Sequence, residues 1–245
     1  MDNKREIFRE FDQIIRNQYD SIPLTDIEAI IQDGENSISF FSRIIRSKKS
    51  LKPFHISDFK FYDEMLFISR DIKYYTSLIY FFRPYINDVS IGTYFQSQED
   101  RRYMMFVSIC FQSVYNFWDR IGDLLAYFFD TGLKENSIYF GRVIHNFPNG
   151  YKFSENYLWL KDNYENKIKH FLGQRDNIVH SYQLECEYYW RTVDSHGKSN
   201  ELQKIQIERE GFPELFKEQI ELTMLGFIKS LKLIEELPNR VYEIN

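Results

Sequence analysis

Apolar side chains recur at steps of three and four along most of the chain, the period of helices with one buried face. In residues 4–18 the stripe is Ile7, Phe8, Phe11, Ile14 and Ile15. A second helix is predicted over 26–46, with Asp33-Gly34 as a soft spot inside it. A third starts at Ser57 or Asp58, both good N-cap residues, and stops at Arg83-Pro84. The longest helix covers 98–130 and closes at Thr131-Gly132. A short one over 135–145 ends at the turn residues Phe147, Pro148, Asn149 and Gly150. Ser154 caps a further helix that runs to 181, and Pro213 opens a last one that ends before Pro238.

The period changes once. Over 184–193 and 202–208 polar and apolar residues alternate, with Asp194, Ser195, His196 and Gly197 between them. That pattern predicts a β-hairpin over 184–208. The expected architecture is therefore mainly α. An N-terminal helical extension, 1–95, packs on a helical core, 96–245, into which the hairpin is inserted.

Composition adds what fills that core. The chain of 245 residues holds 23 Phe, 18 Tyr and 3 Trp, but alanine only at Ala29 and Ala126. Close packing through small residues cannot be general, so rings must fill the interior, with Ile and Leu between them.

Charge and cysteine content narrow the chemistry. Lys and Arg total 31 against 36 Asp and Glu, a net charge of −5, so the chain as a whole is not a nucleic-acid coat. A polyanion would need a local patch. One candidate is Arg43, Arg46, Lys48, Lys49 and Lys52, a run without an acid, flanked by Phe40, Phe41 and Phe54. It reads either as an RNA-binding strip with stacking rings or as a solvated helix end. Cys110 and Cys186 make no disulfide framework, and there is no CxxC, HExxH, GxSxG or Gly-rich phosphate loop. No metal and no cofactor are expected. The charged start has no apolar signal core and no run reaches transmembrane length, so a cytoplasmic protein away from the membrane is expected.

Two features remain. Ser108, Gln112, Ser113, Asn116, Asp119, Arg120 and Asp123 draw a narrow polar stripe on the otherwise apolar long helix. It is either a solvated face or one facing a site. The second feature is Arg175-x4-His180, with Asp176 and Asn177 after the Arg. Asp176 and His180 fall on one helical face, whereas Arg175 and His180 are ~140° apart. As plain helix chemistry, the two cations suit a C-terminal dipole.

Arg175-x4-His180 on a late helix, after a long helix with a polar stripe, resembles the signature of the HEPN superfamily. The resemblance covers roughly 100–182 and implies a HEPN-like helical bundle. It also implies a metal-independent endoribonuclease whose homodimer brings two Arg/His motifs together. In such a site His180 would move protons as the RNA 2′-hydroxyl attacks the adjacent phosphate, and Arg175 would stabilise the charge that develops. Asp176 and Asn177 would orient His180 or the sugar, and Asn116, Asp119 and Asp123 would support the motif from the facing helix. The longer form Arg175-x4-His180-x-Tyr182 is similar to that of HEPN toxins paired with a nucleotidyltransferase antitoxin, where Tyr182 would be the AMP acceptor. Toxin–antitoxin or phage-defence roles follow from the resemblance. The alternative is a catalytically silent HEPN-like dimer that binds RNA, scaffolds or regulates.

Overall fold

The computed structural model describes residues 2–51, 58–89, 97–173 and 184–239. Among them the chain is built almost wholly of helices. They are α1 (Asp2–Ser21), α2 (Ser37–Ser47), α3 (Asp58–Phe82), α4 (Gln98–Phe128) and α5 (Phe140–His145). Then come α6 (Glu155–Asn163), α7 (Leu184–Asp194), α8 (Ser199–Glu210) and α9 (Phe212–Glu235). The helix of α6 continues through a π-helical turn, Tyr164–Ile168, and is helical again over 169–173. Two short strands, β1 (Ile31–Gln32) and β2 (Glu35–Asn36), pair antiparallel.

The chain divides into two compact units. Met1–Thr25, Asp71–Gln112 and Gln174–Ile220 form one of them. Its core is aromatic: Phe111 meets Phe216 and Phe212 edge-on at centroid distances of 5.0 and 6.0 Å, and Tyr188 meets Phe212 at 5.8 Å. The same unit holds a buried ion pair. Ser97 and Asp100 cap α4 reciprocally: Asp100 N–H donates to Ser97 Oγ at 3.0 Å and Ser97 N–H to Asp100 Oδ2 at 2.9 Å. The other oxygen of Asp100 accepts Arg209 Nη2 at 2.5 Å and the Asn87 N–H at 3.1 Å. Arg209 Nη1 donates to the Asn87 carbonyl at 3.0 Å. A cap residue thus also pairs with a buried guanidinium.

In the same unit, α1 departs from its expected role. Ile15 is buried, but Ile7, Phe8, Phe11 and Ile14 are exposed, Phe8 at 68%. The stripe is amphipathic as predicted, yet only its C-terminal end is covered, where the Lys73 ammonium sits over the Tyr19 ring at 5.1 Å.

Asp26–Arg70, Ser113–Gly173 and Glu221–Asn245 form the second unit. Phe41, Phe61, Tyr62 and Phe227 cluster there, with Phe41 5.5 Å from Tyr62 and 6.2 Å from Phe227. Trp118 is buried between α5 and α9. Its ring lies 4.7 Å from Phe140, and it fills the space that a side chain on Gly226 would take. A Cβ on Gly122 would come within 2.8 Å of the Phe140 backbone nitrogen, so α4 and α5 touch backbone to backbone.

Two predicted elements are corrected. The β-hairpin over 184–208 is a pair of helices, α7 and α8. Leu184, Tyr188 and Thr192 are buried at steps of four, and Leu202, Ile205, Gln206 and Arg209 at steps of three and four. The alternating residues that suggested a strand, Cys186, Trp190 and Ile207, are exposed and set no period. Gly197, at φ +78°, turns the chain between the helices. Glu208 then joins them, accepting from the Tyr188 hydroxyl at 2.5 Å and from Arg191 at 2.7 Å. The helix predicted over 26–46 is broken in its first half. Asp33 and Gly34 both have positive φ, +52° and +82°, the two-residue hairpin turn favoured by Asp-Gly. Only Ser37–Ser47 is α-helical there.

Candidate functional site

The polar stripe on α4 is confined to one face of a helix whose other faces are core. Val107, Phe111, Val114, Trp118, Ile121 and Leu125 are buried, while Asn116 is exposed and Asp119, Arg120 and Asp123 are half-buried. The C-terminal part of the stripe is an organised charge cluster. Arg120 Nη1 donates to Asp123 Oδ2 at 2.5 Å, and Arg120 Nε stands 3.0 Å from Glu64 of α3. Burial pushes the Asp123 carboxyl up to about 6; Arg120 opposes that shift, while Asp119 and Glu64 reinforce it. Asp123 and Glu64 hold the Arg120 guanidinium between them, and Asp119 adds negative charge beside Asp123. Glu64 was not singled out in the sequence. It lies 56 positions before Arg120 (120 − 64), so no local spacing links the two.

The helix predicted from Ser154 to 181 starts at its expected cap, and its predicted end lies outside the described residues. Ser154 Oγ accepts from Asn156 N–H at 3.1 Å and donates to Glu236 Oε1 at 2.6 Å. The π-helical turn interrupts it, with the Lys169 N–H reaching the Tyr164 carbonyl five residues back. Arg175, Asp176, Asn177, His180 and Tyr182 lie outside the described residues, as does Lys52.

The basic run is split by its contacts. Arg43 is held by Glu35 at 2.8 Å and Glu235 at 2.7 Å. Lys48 is buried, and its ammonium donates to the Leu237 carbonyl at 2.6 Å and to Asn239 Oδ1 at 2.9 Å. Arg46 lies over the Phe59 ring at 4.8 Å, and Lys49 is exposed. Two members of the run therefore tie α2 to the end of α9 and the residues after it. No local pattern betrays this, because their partners stand about 190 residues further on.

Among the described residues no group of His, Cys, Asp and Glu is arranged to hold a metal ion, and no helix is long and apolar enough to cross a membrane. Cys110 is fully buried beside Thr76, and burial pushes its thiol well above the usual range. That suits packing rather than nucleophilic chemistry.

The family model of the Cthe2314-like HEPN family matches residues 37–234. The chain belongs to the HEPN superfamily. No curated protein and no solved structure matches it. The HEPN match begins with the first residue of α2 and ends within the last turn of α9, so α1 and the β1–β2 hairpin precede it. It takes in Arg175 and His180 together with the charged face of α4. The mainly α architecture is that of a HEPN fold.

Proposed function

We propose that this HEPN chain is a metal-independent endoribonuclease that cleaves RNA at a composite site in a homodimer. One observation carries the reading: Arg175-x4-His180 stands inside the region matched by the HEPN family model. His180 accepts the proton of the RNA 2′-hydroxyl, which attacks the adjacent phosphorus as the P–O5′ bond breaks. The products are a 2′,3′-cyclic phosphate and a 5′-hydroxyl, and the leaving oxygen takes a proton from the second imidazole or from water. Arg175 bears the added negative charge of the phosphorane. Asp176 and Asn177 orient the imidazole and the sugar, and Asn116, Asp119 and Asp123 supply the polar face that steers Arg175. A cytoplasmic toxin–antitoxin or phage-defence role fits an RNase of this kind. There the hydroxyl of Tyr182, two residues after His180, attacks the α-phosphate of ATP held by a nucleotidyltransferase antitoxin, pyrophosphate leaves, and the AMP adduct silences the RNase.

The second reading is a silent HEPN dimer that binds RNA or another partner. The observation in its favour is that Arg43 and Lys48 are spent on contacts within the chain of an acidic protein. Incubation of the purified chain with single-stranded RNA in EDTA separates the two. Cleavage to cyclic-phosphate ends that is lost in Arg175→Ala and His180→Ala supports the enzyme, and DNA of the same sequence stays intact because it lacks the attacking hydroxyl. Intact RNA with the wild-type chain leaves the silent reading.

A further inference from the structure

Every residue of α1 from 5 to 14 is exposed, so these turns of the helix stand in water on all sides. Cover begins at Ile15, which is 3% exposed, and at Tyr19 under the Lys73 ammonium. A free helical stretch shorter than about 12–15 residues is marginal in water. This one nevertheless carries four large apolar side chains: Ile7, Phe8, Phe11 and Ile14 are 58, 68, 36 and 43% exposed. At ~100° per residue they share one arc of ~120°, so they make a continuous stripe. Such a stripe, on a helix with little support of its own, is the mark of a surface that another apolar surface covers. α1 precedes residues 37–234, which the HEPN family model matches, so the fold common to that family does not account for it.

The charges beside the stripe identify what covers it. Beyond Ile14 on the helix wheel stand Glu10 and Glu6; beyond Phe8 stand Arg5, Arg16 and Arg9, with Asp12 among them. One edge is acidic and the other basic. A helix that lies on a lipid surface is rich in Lys and Arg on its polar side, and a nucleic-acid contact needs cations without facing acids, so the acidic edge suits neither. A second copy of α1 suits both edges. In a parallel pair about a two-fold axis along the helices, the acidic edge of each meets the basic edge of the other, and edge charges of this kind set the orientation of paired helices. In an antiparallel pair like edges meet: Glu10 would face Glu10 of the second copy, and Arg5 would face Arg16. We propose that α1 is a homotypic docking helix, whose Ile7, Phe8, Phe11 and Ile14 pack against the same residues of a second copy of this chain in a parallel pair. The contact does not depend on the endoribonuclease reading, and it adds to the contact between copies that the reading requires.

Disulfide trapping tests the arrangement. In a Cys186→Ser chain the remaining thiol, Cys110, is buried. Ile7→Cys or Ile14→Cys in that background sets like against like across a parallel pair, within the ~4.4–6.8 Å between Cα atoms that a disulfide spans. Each variant alone is expected to run as a covalent dimer on a non-reducing gel after mild oxidation. Gln13→Cys, ~160° round the helix from Phe11, gives none. Covalent dimer that forms no faster with Ile7→Cys than with Gln13→Cys overturns the proposal. So does a link that appears only when Ile7→Cys and Ile14→Cys chains are mixed, because that is the antiparallel pair.

Sedimentation supplies a second readout without oxidation. Phe8→Ser combined with Phe11→Ser is expected to raise the dimer dissociation constant by about tenfold or more. Both rings are exposed in the single chain, so their loss takes nothing from its core. An unchanged constant, or a wild-type chain that is monomeric at micromolar concentration, overturns the proposal. Uptake of a monomeric wild-type chain by neutral phosphatidylcholine vesicles, lost in the same double variant, assigns the stripe to a lipid surface and overturns it too. A chain that leaves RNA intact yet traps through Ile7→Cys loses the enzyme reading and keeps this one.

Discussion

Asp123 accepts a 2.5 Å hydrogen bond from Arg120, yet its carboxyl titrates at about 6, well above an ordinary aspartate. Burial outweighs the single guanidinium, because Asp119 and Glu64 add negative charge and Glu64 shares the same Arg120.

This relationship sets a pH dependence. The folded-state pKa is raised, so the folded chain holds the Asp123 proton more tightly than the unfolded chain, whose value is ~3.9. The stabilisation is complete below about pH 4 and is lost as the pH rises through about 6. Asp123→Asn keeps an acceptor for Arg120 and removes the loss. At pH 7.5 it is expected to stabilise the fold by about 1–3 kcal/mol relative to wild type, a range reduced for partial solvent access. The advantage shrinks towards zero near pH 4. Thermal melts of the two proteins across pH 4–8 check it, and parallel curves would contradict the account.

The Asp100–Arg209 pair makes a different claim. Both side chains are essentially excluded from water, and Asp100 also caps α4 through Ser97. Arg209→Ala strands a buried carboxylate and is expected to cost about 3–5 kcal/mol. Arg209→Met with Asp100→Asn removes both charges while an amide still caps the helix, and it recovers most of that loss. Urea unfolding of the two variants tests this. A loss below about 1 kcal/mol in Arg209→Ala would mean that water reaches the pair.

These two groups show what local sequence carries and what it omits. The limits of α3, α4 and α9 were readable because Asp58, Pro84, Gly132 and Pro238 act within a turn or two of themselves. Membership of the HEPN superfamily was readable because the residue types and spacing of Arg175-x4-His180 are local as well. The 184–208 error arose because Cys186, Trp190 and Ile207 are apolar letters on exposed faces, and no single sequence says which apolar residues are covered. Asp33-Gly34 reads as a weak point in a helical pattern, whereas its two positive φ angles make it a hairpin turn. The Asp123 environment needed Glu64 from another helix. The seat of Tyr164 needed Gly141, because a Cβ there would collide with the Tyr164 hydroxyl and ring.

Backbone contact between helices is equally hidden from sequence, and Gly122 is its clearest case. A methyl group there meets the Phe140 backbone at 2.8 Å, and no rotamer change relieves a clash with main chain. Gly122→Ala is expected to destabilise the fold by about 1–3 kcal/mol, as overpacking does, despite the higher helix propensity of Ala. Because Phe140 lies against Trp118, the indole emission should shift as α5 moves away. An unchanged emission spectrum and melting temperature would count against so close an approach.

The basic run on α2 separates structural from ligand-binding cations within two neighbouring residues. Lys48 is buried and donates to the Leu237 carbonyl and to Asn239, so Lys48→Met leaves both acceptors without their charged donor. Hydrogen bonds to a charged group are worth ~1.5–3 kcal/mol, and a loss of about that size is expected in urea unfolding. Lys49 points into solvent, so Lys49→Ala should leave stability within about 0.5 kcal/mol. If the exposed part of this run tracks RNA phosphates, Lys49→Ala weakens binding to all RNA sequences alike. It also lowers the slope of log affinity against log salt by about one. Binding measured by anisotropy at several salt concentrations, on the His180→Ala chain so that the RNA stays whole, supplies that slope. An unchanged slope assigns the whole run to the fold and leaves RNA contact to other surfaces.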